Sequence, residues 1–398
     1  MAKITQIKGR KILDSRGDYT IEVDVYSDDG TMGRASIPSG ASTGRYEAFK
    51  LTDIDQVIAN IGNLEVALVG QEITDQEKID LLMINSDGTA NKSKLGGNTI
   101  LAISLAVCEA AAKSEKIPLY KYIARIYGVS ENNFRMPIPM FNIINGGKHA
   151  DNNLPFQEFM IIPMGQKTIH ERVFEGDKVF KELKAIIKKM GLSTSVGDEG
   201  GFAPRLNSNE EALELLKMAI TNAGYVPKQD MGIGIDVAAS SIPDLSPITY
   251  PLSPIDYYKK ISTKYPVVLI EDGLSEDDWA NWELITQTLG SQVKIIGDDL
   301  FTTNSQRLQM GIDRKAANGI IIKPDQIGTL TETFKTIKLA KQAGYTVIIS
   351  HRSGETESTF IADLSVGVGA EFIKTGAPDR GERVAKYNQL LRIEEELM

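Results

Sequence analysis

Short, β-branched apolar runs that each end in a polar or charged residue recur through the last two thirds of the chain, and this repeat constrains the fold most. The runs are MPIPMFNIING, FQEFMIIP, MGIGIDVAAS, YPVVLIEDG, VKIIGDDL, NGIIIKPDQ, YTVIISHRSG and EFIKTG. From Asp236 onward the polar residues lie at positions 236, 271, 298, 323, 351 and 374, spaced by 35, 27, 25, 28 and 23 residues. Helical segments such as LTETFKTIKLAKQAG lie between them. This alternation is typical of an eight-stranded β/α barrel.

The first two runs depart from the alternation, because only NGGKHADNNLP separates them. This segment is too short for a crossover helix, so we predict a hairpin that makes the second strand antiparallel. An open doubly wound sheet is the competing fold. It would need a glycine-rich phosphate loop after its first strand, and neither GxGxxG nor GxxxxGK[ST] is present.

The N-terminal third has a different pattern. Apolar residues alternate with polar ones in TIEVDVYSDDGTMGRASIP, where Asp29-Gly30 indicates a hairpin turn. From about residue 55 to 127 the pattern is helical, and GVSENNFR near 128–135 is a polar break. We therefore predict a smaller α+β N-terminal domain over residues 1–134 and a β/α barrel over residues 135–398.

Composition excludes several classes of protein. A net charge of -9 argues against a nucleic-acid partner. The sequence has no apolar run long enough to span a membrane and no signal-peptide pattern at its N-terminus. The lone Cys108, in LAISLAVCEAA, is expected to be a core residue in a reducing compartment rather than a catalytic thiolate. These features predict a cytoplasmic protein.

Active sites of β/α barrels lie at the C-terminal ends of the strands. The runs above place a common set of polar residues there: Asp236, Glu271, Asp298, Lys323, His351, Arg352 and Lys374. Any one carboxylate could be an isolated ion-pair partner or helix cap. Three carboxylates on successive strands instead favour a site for a hard cation such as Mg²⁺.

Two lysines and an acidic loop complete the candidates. Lys323 either neutralises the carboxylates or, with Lys374 and a cation nearby to depress its pKa, acts as a general base. The loop STSVGDEGGFAP is either a solvated turn or a ligand-facing segment that carries Glu199. His149 and the pair Gln157-Glu158 are further candidates, although His149 alone could be a structural histidine.

Several longer stretches resemble the enolase family. They include DSRG, PSGASTG, INGGKHADNN, QEFMIIP, VGDEGGFAP, IEDGL, GDDLFTTN, SHRSGETE, IKTGAP and ERVAKYNQLLRIEEEL, and they span nearly the whole chain. The resemblance implies a lyase that interconverts 2-phosphoglycerate and phosphoenolpyruvate in glycolysis and gluconeogenesis. It also implies a small α+β domain before a barrel with an antiparallel second strand.

The resemblance assigns roles to individual residues. The implied catalytic residues are Lys323 as base, Glu199 as acid and Glu158 as its support. The implied substrate contacts are His149, Gln157, Arg352, Ser353 and Lys374, and His351 lies in the same SHRSG loop. The implied magnesium ligands are Asp236, Glu271 and Asp298, with Ser42 binding a second, substrate-dependent ion.

The resemblance also concerns partners. It implies a homodimer or a higher homo-oligomer, and some enolases are secreted or appear on cell surfaces and bind plasminogen. Two alternatives remain open: another enolase-superfamily enzyme that dehydrates or isomerises an unphosphorylated acid, and a diverged copy with a surface-binding role.

This sequence departs from the family pattern at several positions. The segment after Asp236, VAASSIPDLSPITYPL, is shorter than usual, and Pro155-Phe156 replaces an acidic residue before the second strand. Asp325 stands where asparagine is usual. We expect Asp325 either to raise the pKa of Lys323 or to face solvent or cap the following turn, where screening would mute its charge.

Overall fold

The computed structural model describes residues 2–40, 44–130, 134–245, 248 and 251–398. The N-terminal part contains an antiparallel sheet of β1 (Ile4–Leu13), β2 (Tyr19–Ser27) and β3 (Met32–Ser36), in that order. Four helices follow: α1 (Ile54–Leu68), α2 (Gln76–Asp87), α3 (Gly97–Ser114) and α4 (Leu119–Tyr127). The predicted hairpin followed by helices is confirmed.

Helix α3 packs closely on this sheet because the residues in contact have small side chains. A Cβ atom at Gly33 of β3 would lie 2.1 Å from the carbonyl oxygen of Ala106 in α3. Cys108 is buried in the same helix, as predicted, and burial raises the pKa of its thiol. Alanine, serine and glycine at the contact allow the two backbones to approach.

The barrel contains the strands β4 (Ile138–Asn145), β5 (Glu158–Pro163), β6 (Met231–Asp236), β7 (Val267–Glu271), β8 (Lys294–Gly297), β9 (Gly319–Ile322), β10 (Thr346–Ser350) and β11 (Phe372–Lys374). They close in the order β10-β11-β4-β5-β6-β7-β8-β9. Strand β5 is antiparallel to both β4 and β6, and the other pairs are parallel. The predicted barrel with an antiparallel second strand is confirmed.

Helices surround the strands: α5 (Ile169–Lys189), α6 (Asn209–Asn222), α7 (Pro254–Lys264), α8 (Trp279–Leu289), α9 (Ser305–Arg314), α10 (Pro324–Ile327), α11 (Leu330–Gln342), α12 (Phe360–Gly367) and α13 (Gly381–Leu397). Several begin at a side-chain cap; Thr168, for example, forms a capping box with Glu171. The barrel interior is filled by apolar residues: Met140, Met160, Ile162, Leu269, Ile296, Ile321 and Ile348. It is therefore a packed core, and the chemistry is confined to its ends. None of the helices in the described part of the chain is long and apolar enough to cross a membrane.

The N-terminal part contacts the barrel at the start of α11. Ser104 accepts a hydrogen bond from the backbone N–H of Leu330, and Asp80 accepts one from that of Thr331. Lys92 forms an ion pair with Glu332 in the same turn. Along the chain, this contact comes just after α10, the short helix that follows Lys323.

Candidate active site

One cavity opens at the C-terminal ends of the strands. Its lining includes most of the residues singled out by sequence: His149, Gln157, Glu158, Glu199, Asp236, Asp298, Lys323, His351, Arg352, Ser353 and Lys374. Glu271 is fully buried and reaches the group through Lys374. Ser42 lies outside the residues that the structure describes.

Lys374 is the centre of a buried acidic group. Its Nζ donates to both oxygens of Glu271, at 2.8 and 2.9 Å. The same nitrogen lies 3.1 Å from Oε2 of Glu158 and 3.6 Å from Oδ2 of Asp236. One ammonium group thus faces three carboxylates on three adjacent strands.

Lys323 forms a second pair across the cavity. Its Nζ donates to Oδ2 of Asp298 at 2.5 Å, while Nε2 of Gln326 donates to Oδ1 at 2.8 Å. The backbone N–H of Lys323 donates to Oγ1 of Thr303, which in turn donates to Gln326. Both oxygens of Asp298 and the start of the Lys323 loop are therefore fixed.

Burial disfavours the charge on both lysines, but the neighbouring carboxylates outweigh it. Asp298 raises the pKa of Lys323, and Glu158, Glu271 and Asp236 raise that of Lys374. The predicted depression of the lysine pKa included a divalent cation and stays a prediction; the protein's own groups shift both pKa values upward, because the carboxylates beside each ammonium outweigh burial.

Glu199 and Glu158 lie together on the opposite side, next to two histidines. His149 Nδ1 is 3.4 Å from Oε1 of Glu199 and 3.6 Å from Oε1 of Glu158. Asn142 donates to Oε2 of Glu199 at 2.8 Å, and His351 Nε2 lies 3.3 Å from the same oxygen. Glu199 of the DEGG loop is thus buried and lines the cavity, so this part of the loop is not a solvated turn.

The two glutamates have opposite pKa shifts. Burial and the charge of Glu199 raise the pKa of Glu158, whereas His351 and His149 outweigh burial at Glu199 and lower its pKa. Of the two carboxyl groups, that of Glu158 is therefore the more readily protonated. The sequence interpretation made Glu199 the acid, which remains a prediction.

Arg383 fixes the tautomer of His351. Its guanidinium is fully buried, and Nη1 lies 2.6 Å from Nδ1 of His351. Because a guanidinium only donates, Nδ1 must be the acceptor and Nε2 carries the ring proton toward Glu199. Burial lowers the pKa of His351 to about 4, so the ring is neutral at neutral pH.

Arg383 also donates to the carbonyl oxygens of Arg352, Ser353 and Asp198, which ties the SHRSG loop to the DEGG loop.

Arg352 lies on the third side of the cavity between two carboxylates. Its Nη1 donates to Asp325 at 2.8 Å and to Glu47 at 3.2 Å. Asp325 is thus mainly a partner of Arg352. The expectation that it faces solvent is wrong, and its charge is not a leading cause of the pKa shift of Lys323.

Carboxylates are in excess at this end of the barrel. Two groups have ligand atoms within 4.8 Å of one another: His149–Glu158–Glu199 and Asp272–Asp298–Asp299. The three predicted ligands do not form such a group among the described residues, since Lys374 lies between Asp236 and Glu271. Burial and the neighbouring acids raise the pKa of Asp272, and that of Asp299 to about 7. So many buried acids with raised pKa values are compatible with divalent metal binding.

Sequence reasoning missed several residues of this cavity. Asp272 and Asp299 were signalled by the acidic doublets in IEDG and GDDL, which follow successive strands. Glu47 carried no signal, because it reaches Arg352 from the N-terminal part across 305 positions of sequence. Gln326 and Arg383 act through other side chains, and no signal in the sequence pointed to them either.

The fold and the site together define a β/α-barrel protein with an antiparallel second strand and a carboxylate-rich cavity at the strand ends. Residues 133–398 match the family model for the enolase C-terminal TIM barrel domain. Residues 4–123 match the model for the enolase N-terminal domain. The chain belongs to the enolase family, which indicates a lyase of the enolase superfamily acting on a small molecule.

Proposed function

We propose that this protein is a magnesium-dependent hydro-lyase that interconverts 2-phosphoglycerate and phosphoenolpyruvate plus water. The observation that carries the proposal is the distribution of groups around one cavity. A lysine paired with Asp298 lies on one side, the Glu158–Glu199 pair with two histidines on another, and Arg352 and Ser353 on a third.

Lys323 is the proposed base. It takes the proton from the carbon next to the substrate carboxylate, and the electron pair of that C–H bond is delocalised into the carboxylate. Lys323 must be neutral to do this, so the proton that Asp298 now stabilises on it has to leave first. Lys374 is held by three carboxylates and is therefore poorly suited to be the base.

The glutamate pair supplies the second proton. When the carbon–carbon double bond forms, the neighbouring hydroxyl leaves and takes a proton from Glu199, so that water is released. Before that step Glu158, the more readily protonated of the two, passes its proton to Glu199, and Glu158 is left as a carboxylate. The neutral His351, with Nε2–H aimed at Glu199, stabilises the carboxylate that remains.

Asp236, Glu271 and Asp298 would hold the magnesium ion, and Ser42 is the proposed ligand of a second, substrate-dependent ion. When bound, these ions would stabilise the extra negative charge that develops on the substrate carboxylate. The protein's own part is to provide buried oxygen ligands in fixed positions: Gln326 fixes Asp298, and the backbone N–H of Ala238 donates to Asp236 at 2.9 Å.

Absorbance at the wavelength of the enol product tests the reaction directly. We expect conversion of 2-phosphoglycerate with Mg²⁺ and loss of conversion with excess EDTA. An unphosphorylated 2-hydroxy acid should neither turn over nor protect against thermal unfolding. Protection by that acid and not by 2-phosphoglycerate would favour another enolase-superfamily reaction.

We also propose that the protein acts in the cytoplasm as a homodimer. Leu13 and Tyr19, paired across the edge of β1 and β2, are 59% and 66% exposed and offer an apolar contact. Sedimentation at micromolar concentration should therefore give a species heavier than 43.6 kDa. A secreted or surface form that binds plasminogen would be a second role, for which binding to immobilised plasminogen is the test.

A further inference from the structure

Arg352 faces an unusual charge balance for a residue proposed to bind phosphate. Its guanidinium contacts Asp325 through Nη1 and Glu47 through both Nη1 and Nη2. All three side chains are largely buried, with side-chain exposures of 4%, 14% and 7% for Arg352, Asp325 and Glu47. Two anions and one cation give this triad a net charge of -1.

The charge of the second anion, Asp325, can be removed with little change in shape. Asparagine has nearly the same shape as aspartate and also offers one oxygen to a guanidinium, but it carries no charge. Asp325→Asn therefore keeps the hydrogen bond and removes one negative charge beside Arg352. A charge at this distance in a partly buried site is felt strongly by an incoming anion.

Lys50 offsets part of this charge. It lines a small cavity behind the triad together with Asp325, Arg352 and Glu47. Burial lowers the pKa of Lys50 while Asp325 acts to raise it, and Lys50 acts in turn to lower that of Asp325. Lys50 comes from the N-terminal part, so the balance around Arg352 is set by both parts of the chain.

We propose that Asp325 is an affinity-setting residue: its charge, partly offset by Lys50, weakens the hold of Arg352 on the phosphate group of the substrate. This inference rests on the proposed function only in taking a phosphate as the anion. A dianion that approaches Arg352 must share the guanidinium with Asp325 and Glu47 and is repelled by both. Asp325→Asn should remove the repulsion between Asp325 and the phosphate. Lys50→Met should strengthen that repulsion, because the positive charge that partly offsets Asp325 is lost.

Inorganic phosphate is the probe, and its affinity is measured by the dependence of the thermal midpoint on phosphate concentration. We expect Asp325→Asn to bind phosphate roughly three- to tenfold more tightly than the wild type, and Lys50→Met to bind it more weakly by a similar factor. Asp325→Glu keeps the charge and should stay near the wild type. The matched control is Asp313→Asn, which removes an exposed carboxylate near the C-terminal end of α9, at the opposite end of the barrel from the cavity.

A second readout separates affinity from structure. In the 2-phosphoglycerate assay, Asp325→Asn should lower KM by the same factor and leave kcat within about twofold, since Asp325 touches no reacting atom. If Asp325 merely positions Arg352, Asp325→Asn keeps the hydrogen bond, so its phosphate affinity and KM should equal those of the wild type, and that result would overturn the inference. Weaker phosphate binding by Asp325→Asn would overturn it too.

The two proposals fail separately. Wild-type turnover of 2-phosphoglycerate with unchanged phosphate affinity in the variants would refute the role of Asp325 alone. Absence of wild-type turnover, with the expected order of phosphate affinities, would refute the reaction and leave the role of Asp325 intact.

Discussion

Two regions of this molecule gather charged side chains around buried carboxylates, and the balance of positive and negative charge differs between them. In the N-terminal sheet, Arg10 and Arg34 both bind Asp24, and Glu22 lies beside them, so that two cations meet two anions. At the barrel end, Lys374 alone faces Glu158, Glu271 and Asp236. The first cluster is complete as folded, whereas the second has more negative charge than its own cations neutralise.

The pKa shifts follow this difference. Burial favours the neutral form of Asp24, but hydrogen bonds from Arg34 and Arg10 outweigh it and lower the pKa. At Glu271 burial and the charge of Asp236 act together and raise the pKa. A balanced cluster needs no further partner in the folded state, whereas the unbalanced one at the barrel end is compatible with divalent metal binding.

The largest expected effect tests the unbalanced cluster through its proposed base. Lys323→Ala should reduce both exchange of the C2 proton with solvent and dehydration by roughly 10⁴-fold, because the proposed base that takes that proton is removed. NMR of 2-phosphoglycerate in D₂O follows the exchange. Exchange at the wild-type rate would assign the base to another residue.

Glu199→Gln should separate the two half-reactions. The amide cannot give a proton to the departing hydroxyl, so dehydration should fall roughly 10²-fold while C2 exchange stays within a few-fold of the wild type. The same NMR and absorbance assays measure both rates. Equal losses in the two rates would mean that Glu199 acts before or during proton removal.

The third prediction compares the two clusters directly. Asp24→Asn should lower the stability of the fold by about 1–3 kcal/mol, because two arginines lose their shared anion, and should leave kcat unchanged. Glu271→Gln relieves repulsion, so its thermal midpoint without added metal should equal or exceed that of the wild type while activity falls. Thermal unfolding and the turnover assay on both variants suffice. A comparable loss of stability in both would make Glu271 a structural residue and remove the contrast.

The sequence predicted the parts of this molecule that depend on local pattern. Strand alternation fixes which residues follow β6 to β11, so the positions of Asp236, Asp298 and Lys323 at the strand ends followed from spacing. The antiparallel β5 followed from a connection too short for a helix. These features need no knowledge of which distant side chains meet.

What the sequence could not predict depends on contacts between distant segments. The pairing of Arg352 with Glu47, and of Arg383 with His351, is created only when the two parts of the chain and the two loops pack together. The upward effect of the carboxylates on the lysine pKa values could not be predicted for the same reason, because it depends on the number and distance of the anions around each ammonium. The pairing of Asp325 with Arg352 could not be predicted either, because Arg352 lies in the loop after the next strand.

The smallest expected effect concerns Asp80, a buried carboxylate with only neutral hydrogen-bond partners. It accepts from Thr331 at the start of α11 and from Gln76, whose own Oε1 has no hydrogen-bond partner among the residues described. Burial raises the pKa of Asp80 to about 6 from its ordinary value of 3.8.

The sign of its pH dependence follows from that raised pKa. The folded state binds the proton more tightly than the unfolded state, so the stability that protonated Asp80 contributes is full below about pH 4 and is lost as pH rises through 6. Asparagine keeps the oxygen for Thr331, and its N–H, like that of a protonated carboxyl, can donate to Oε1 of Gln76 once the Gln76 amide is turned over. Asp80→Asn should therefore match the wild type near pH 4 and exceed its stability by about 1–3 kcal/mol at pH 7.

Asp87 is a matched control, because hydrogen bonds outweigh burial there and lower its pKa. Asp87→Asn should be less stable than the wild type near neutral pH, and this difference in stability should shrink as pH falls. Thermal midpoints of the three proteins between pH 4 and 7 decide the matter: a constant difference between Asp80→Asn and the wild type would mean that Asp80 does not titrate in this range.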